Sequence, residues 1–546
     1  MKTLNLLLAF SFFLLIACGD KKETVTVQSN NFLTPEIMCG TVQFVDGCGE
    51  KTDSLIRFGL ALLHHMTYED AEYTFDRIIA DDPDCFWGHW GKAMTYIHPL
   101  WPDHLTEDQM TRGYILSQKA LSLAKKPNEK LYGAALAAFY QKGDLAKPDR
   151  LSAFQKGWVE AHAQLPDDPE AELFNGLFRL AVVSPADKTF AIQTEVGASA
   201  ERLLAKYPDH PGAFHYAIHA YDVPPLATKA LNVARNYGKI APEIPHALHM
   251  PSHIFTRLGL WDESIEWNTR SAKAALRLPY GDKVSPHVFH ALDYLVYAHL
   301  QYGEDDKARD IVKGVDTLTL AYFVSPVTAY SLAAMKARLA LENRKWEEAA
   351  NLPIPDTSKF AWSKFPQYEA LIYYARGIGG ARSGKPEIAN QSLERLDQLQ
   401  KNLGDTPQTK YWHDQIEAEK LAVKAWIAFA TNHKDDGLAL IKQAADLEDA
   451  TQKNPVSPGE LLPIREQAGD MLMEMGQPKE ALVHYRQTNT TRPNRFNTVY
   501  GAAKAAEESG DAAAAKEFYA KLLSLKGDEP TNREQFAYAE KMVNGK

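Results

Sequence analysis

The 546-residue sequence predicts an all-α protein built from stacked helical hairpins. Three observations predict it. First, apolar and small residues recur at helical spacing through Leu55, Phe58-Gly59, Leu62, Ala71, Phe75 and Ile78 and stop at Pro83, close to the ~34 residues of one helix–turn–helix repeat. Second, one turn signature keeps returning: a Gly or polar residue, then an aromatic or Pro, then Ala or Ser. It appears at Gly259-Leu260-Trp261 with Ser264, Gly303 with Ala308, Lys345-Trp346 with Ala349, Gly384 with Ala389, Gly476 with Ala481 and Gly510 with Ala515, which suggests roughly ten hairpins. Third, no stretch alternates apolar and polar residues between tight turns, as a sheet would require.

The first repeat shows the physical logic. Gly59 and Ala71 let two antiparallel helices approach closely, Phe75 and Ile78 fill the seam to the next pair, and Pro83 ends the second helix. The next repeat begins at once with Trp87, Trp90-Gly91 and Met94. These positions resemble the tetratricopeptide repeat, and the resemblance covers most of residues 51–540. It implies a right-handed superhelix of stacked hairpins with a concave face that holds ligands. Insertions at His98 to Pro102 and at Pro224-Pro225 depart from the regular period. We divide the chain into residues 51–450, repeats with a His-rich concave face, and residues 451–546, further repeats.

Two segments precede the repeats. Met1-Lys2, an apolar run over residues 4–17 and then Cys18 form an export signal. The run is shorter than the roughly 20 residues a spanning helix needs. Leu15-Ile16-Ala17-Cys18 resembles a bacterial lipobox, which implies cleavage before Cys18 and a lipid on its sulfur. The expected location is therefore the cell envelope, periplasmic or surface-facing, with the lipid as the membrane contact. Residues 18–50 read as a tether and an amino-terminal cap. Within them Cys39 and Cys48 flank a Gly-rich stretch and are a candidate disulfide in an oxidising compartment, which leaves Cys85 packed alone in a helix.

Composition narrows the function. Charged residues are 24%, hydrophobic residues 45% and the net charge is −10, so there is no basic footprint for nucleic acid. Gly-rich phosphate loops, a Gly-x-Ser-x-Gly elbow and a Cys-His nucleophile pattern are all missing from the sequence.

The strongest signal is histidine. Eight of the 18 His fall between residues 215 and 299. With Ser264 taken as the small residue of a second helix, the first helix of that pair covers about residues 245–258. His246, His249 and His253 then project within roughly 60° of one another. The same frame places His290, Asp293 and Tyr297 on one face of the next pair, with His287 a turn below. The preceding pair offers His215, His219 and Asp222. The resemblance implies that such positions line the concave groove. Pro251 interrupts the middle helix and either builds or spoils the cluster.

Three readings follow. The His could make local hydrogen bonds. His215, His219, His249, His253 and His290 could bind a divalent metal such as zinc, since imidazoles four apart on a helix form a natural chelate. Or the cluster could hold an anionic or peptide ligand. The leading expectation is an envelope-anchored module that binds a peptide, a protein or a small ligand in its groove. The alternative is a metal-binding protein or metal-dependent hydrolase, with Asp222 or Asp293 as the catalytic carboxylate. Glycan capture is a third class, disfavoured by the regular repeats. Glu466 and Asp470, near Glu460 and Arg465, read as a polar groove wall, and Trp87, Trp90, Trp101, Trp261, Trp267, Trp346 and Trp362 read mostly as seam packing.

A further resemblance is more local. His246-Ala247-Leu248-His249-Met250-Pro251-Ser252-His253-Ile254, together with Pro493-Asn494-Arg495-Phe496 and Tyr500-Gly501-Ala502-Ala503, is similar to segments shared by a group of bacterial tetratricopeptide-repeat lipoproteins.

Overall fold

The computed structural model describes residues 11–12, 25–26 and 32–545, apart from 44–46, 102–104, 142–146, 185–186, 319, 359, 405, 407–408, 452–455 and 528–529. The export signal and Cys18 lie outside the described residues, the dipeptide 11–12 excepted. No described helix is long and apolar enough to cross a membrane. The chain forms two compact bodies. The amino-terminal body holds residues 28–254 and 273–281; the carboxy-terminal body holds 255–272 and 282–545. The division falls inside the stretch that the sequence groups as one run of repeats.

The fold is all-α, made of stacked antiparallel helix pairs. In the amino-terminal body the pairs are Glu50–His64 with Tyr68–Asp81, Phe86–Met94 with Glu107–Leu123, Pro127–Phe139 with Lys147–Gln164, Pro169–Val182 with Ala191–Lys206, and Pro211–Tyr221 with Leu231–Ile240. Close approach is built as the first repeat suggests. A Cβ at Gly59 would lie 2.8 Å from the Phe75 ring and one at Gly91 2.1 Å from it. Phe75 is fully buried between these two bare backbones.

In the carboxy-terminal body the pairs are Pro286–Gln301 with Asp305–Asp316, Pro326–Glu342 with Trp346–Ala350, Pro366–Arg382 with Pro386–Leu403, Lys410–Ala430 with Lys434–Ala450, Ile464–Glu474 with Pro478–Thr491, and Phe496–Glu508 with Ala512–Leu523. Glu534–Asn544 closes the stack against Ala512–Leu523. Starts and stops follow local rules. Ser285 and Ser325 cap helices whose first residue is Pro. The turn inside each pair passes through the left-handed region at Gly303, Arg344, Gly384, Asn432, Gly476 and Gly510, which explains why the turn signature is mostly glycine.

The disulfide expectation is corrected. Cys48 pairs with Cys85, with Cα atoms 5.5 Å apart, and Cys39 is a free thiol. The reason is where the segment around Cys39 is anchored. The Cys39 carbonyl accepts a hydrogen bond from His65 at 2.9 Å, and the Thr41 amide donates to the Asp209 carbonyl at 2.9 Å. That path carries Cys39 away to the fifth helix pair. Cys48, just before the first helix, meets Cys85 at the start of Phe86–Met94. Burial pushes the Cys39 thiol up to about 11, so it stays protonated and unreactive.

Candidate metal centre

The histidines of the amino-terminal body converge. His215 and His219 stand one turn apart on Pro211–Tyr221, a helix started by Pro211. His246 lies on the short helix Pro245–His249, which opens the following pair. The ligand atoms of His215, His219 and His246 all lie within 4.8 Å of one another. Ring centroids are 4.7 Å apart for His215 and His219, and 5.0 Å for His215 and His246.

His215 has its ring orientation fixed by the backbone. Its Nδ1 lies 2.6 Å from the His64 carbonyl oxygen. A carbonyl can only accept, so Nδ1 carries the proton and Nε2 presents a lone pair. That Nε2 is buried and has no hydrogen-bond partner. The side chain is fully buried, and burial, with His219 beside it, pushes its pKa far below the ordinary value. It is therefore a neutral imidazole with its coordinating nitrogen aimed into the cluster.

A second layer holds this geometry. The His64 side chain lies with Nε2 2.6 Å from Glu170 and Nδ1 2.8 Å from the Tyr216 hydroxyl. His210 Nε2 reaches the other Glu170 oxygen at 2.8 Å. Burial pushes the Glu170 carboxyl up, but His64 and His210 outweigh it, and the net shift is down. Glu170 is thus an ionised carboxylate receiving two imidazole N–H groups. His65 Nδ1 meets the Tyr237 hydroxyl at 2.8 Å, and burial drops its pKa to about 3. None of His64, His65, Glu170 and His210 stands out in the sequence, because they come from two other helix pairs and from the cap of Pro211–Tyr221, with no shared spacing.

His249 and His253 flank Pro251. The structure answers the question that Pro raises. The helix stops at His249 and restarts at Pro251 with Met250 still helical. The two Nε2 atoms end 3.0 Å apart. His253 Nδ1 lies 3.1 Å from an Asp222 oxygen, the carboxylate–imidazole arrangement that orients metal-bound His. Asp222 is committed to that bond and is not a free base. Trp101 closes one side, its ring 5.7 Å from that of His246, and Tyr68 and His98 pack beside it.

One expectation needs correction. The sequence places these residues on an open groove, yet His215, His246, His249 and His253 are buried, while His219 is half-buried. The end of Glu50–His64, Tyr237 and the Trp101 segment pack over them.

The other expected site residues, His287, His290, Asp293 and Tyr297, lie on Pro286–Gln301 in the carboxy-terminal body and are also buried. Tyr297 accepts from Arg495 at 2.6 Å. Asp293 sits 3.8 Å from the Arg338 guanidinium, and burial, opposed by Arg338, pushes its carboxyl up to about 7. His287 is driven down to about 4 by burial. Glu466, read as groove wall, is fully buried and receives Arg495 at 3.3 Å, and Glu342 receives the same guanidinium at 2.6 Å. The Asn494-Arg495-Phe496 motif is thereby explained as structural. Asn494 holds the Gly259 carbonyl at 3.1 Å, and the Phe496 amide donates to Gln301 at 2.9 Å.

A ladder in this body already has an occupant. Tyr294 donates to the Ser457 carbonyl at 3.2 Å, Arg338 to the Gly459 and Glu460 carbonyls at 3.2 and 2.8 Å, and Tyr374 to the Leu462 carbonyl at 3.5 Å. Three successive first helices therefore grip the chain over residues 457–462.

No protein-family model matches the chain, and no curated protein matches it. Solved structures do. The chain is similar to a monomeric mutant of IFIT1 solved with Gppp-AAAA (11% identity over 80% of this chain and 90% of that one, TM-score 0.38). It is also similar to yeast Tom70 (14% identity, 91% of this chain and 96% of that one, TM-score 0.33).

Proposed function

We propose that this is a metal-binding protein whose amino-terminal body holds a first-row transition ion on His215, His219 and His246. The observation that carries the reading is His215, with Nδ1 fixed by a backbone carbonyl and Nε2 buried, unpartnered and facing two more imidazoles. An imidazole-only donor set suits zinc, copper or nickel better than magnesium or calcium, which take oxygen ligands. The Met1–Cys18 segment supports export and lipid attachment, so the ion would be met in the cell envelope.

Two other readings lack support of this kind. The hydrolase reading relies on Asp222 or Asp293 as base, but Asp222 accepts from His253, and Asp293 lies on Pro286–Gln301 beside Arg338. A peptide partner for the carboxy-terminal ladder would first have to displace residues 457–462.

The test is metal analysis of the full chain after dialysis against zinc or copper and then against metal-free buffer. Retention of at least one ion per chain is expected, with His215→Ala weakening it by ~100-fold or more. A wild-type chain that retains neither metal overturns the reading.

A further inference from the structure

The geometry points to a second ion beside the first, held by His249 and His253, so that the amino-terminal body carries a two-copper, imidazole-only centre. This rests on the metal-binding reading above and deepens it.

The pair has its own logic. His253 donates from Nδ1 to Asp222, so its Nε2 is a lone pair. The His249 Nε2 faces it at 3.0 Å. Two such nitrogens either share a single hydrogen bond or clasp one ion. At metal–nitrogen distances of ~2.0–2.1 Å, two nitrogens 3.0 Å apart can both reach one ion. Ser252, between the two His, donates to the His249 carbonyl at 2.6 Å and fixes the turn they share.

The pair adjoins the first set at two points. His249 lies beside His246 and His253 beside His219, each with ring centroids 6.2 Å apart. The ligand side chains form one continuous wall of imidazoles with no thiolate or carboxylate among them. Copper leads the divalent order for such donors. Asp222 acts as a positioning residue. It touches no ion itself but sets which nitrogen of His253 faces inward.

The experiment loads the full chain with Cu(II), removes excess, and counts copper per chain alongside its electron paramagnetic resonance signal. Two copper ions per chain are expected, with a resonance signal smaller than the copper count because neighbouring ions couple. The double variant His249→Ala/His253→Ala, checked for native helicity by circular dichroism, should keep one copper with its full signal. Asp222→Asn keeps both ligands and guards against a variant that fails to fold; it should weaken only the second ion, by ~10–100-fold. A wild-type chain that saturates at one copper overturns the pair and leaves the first site standing. So does a folded double variant that still holds two or loses both, or a wild-type signal accounting for all the copper. Retention of zinc over equimolar copper overturns the choice of metal. A chain that binds no ion at all removes both readings.

Discussion

The two bodies share one kind of architecture and treat buried polarity in opposite ways. In the carboxy-terminal body one buried cation is answered on three sides. Arg495 reaches Tyr297, Glu342 and Glu466, and a stretch of the chain itself lies against Tyr294, Arg338 and Tyr374. In the amino-terminal body the hydrogen bonds fix the outer nitrogens of His215 and His253 and leave the inner ones facing each other's neighbours. The same helix-pair scaffold thus yields an ion-paired interior in one place and a cluster of facing imidazoles in the other. What decides is where the hydrogen-bond acceptors sit relative to the cluster.

The largest effect that would break this contrast is at Arg495. Arg495→Ala leaves Glu342 and Glu466 buried without their cation, and should cost the carboxy-terminal body ~3–5 kcal/mol in denaturant unfolding. A loss under 1 kcal/mol would mean those carboxylates are not ionised. Next comes the Cys48–Cys85 bridge. Reduction, or Cys48→Ser/Cys85→Ser, should cost the amino-terminal body ~2–4 kcal/mol, read as a lower melting temperature, while Cys39→Ser changes little. Equal effects from Cys39→Ser would contradict the pairing. Metal should then sharpen the difference. At a free ion concentration 100 times Kd, about 2.7 kcal/mol is added. Hydrogen exchange should show that protection around His215 and His246, and His215→Ala should abolish it.

Acid acts on buried groups in both bodies, since burial raises Asp70 to about 7 in the amino-terminal one as it does Asp293 in the other. His65 is held neutral, with its pKa dropped to about 3 in the fold against an ordinary 6.5. Its contribution is present above pH 6.5 and drains away as pH falls toward 3, at up to about 1.4 kcal/mol per pH unit. Asp293 has the reverse sign. Its pKa is raised to about 7 from 3.8, so its contribution is complete below 3.8 and is lost as pH rises through 7. In the carboxy-terminal body Asp293 therefore offsets the acid sensitivity of His287. Asp293→Asn should make that body more acid-sensitive between pH 7 and 4, by unfolding monitored across pH. The smallest effect is at the ladder. Tyr330→Phe, which removes the 2.5 Å hydroxyl pair with Ser457, should cost about 1 kcal/mol.

The scaffold was legible because its rules are local. Gly303, Gly384, Gly476 and Gly510 announce left-handed turns, and Gly59 with Phe75 announces a tight seam. Asn432 makes the same turn without glycine and gave no sign, whereas the turn at Arg344 showed only through Lys345-Trp346 and Ala349 after it. At the site, the helical spacing of His215 with His219, and of His249 with His253, was readable, as was a shared face. Depth was not, because the layers that bury the cluster come from Glu50–His64 and from the irregular residues around Trp101. Neither was the second layer. His64, Glu170 and His210 meet only through tertiary packing across helix pairs. Cys39 and Cys48 misled because nearness along the chain was taken for nearness in space.

The ring closed by Cys48 and Cys85 encircles the hairpin that supplies His64 and His65. Thiol reductants in a preparation buffer would therefore act twice, as chelators competing for copper or zinc and as cleavers of the clasp beneath the carbonyl that aims His215. Material handled that way would look apo and loosened for reasons of bench chemistry, so oxidising, chelator-free isolation has to come before any metal inventory of this chain.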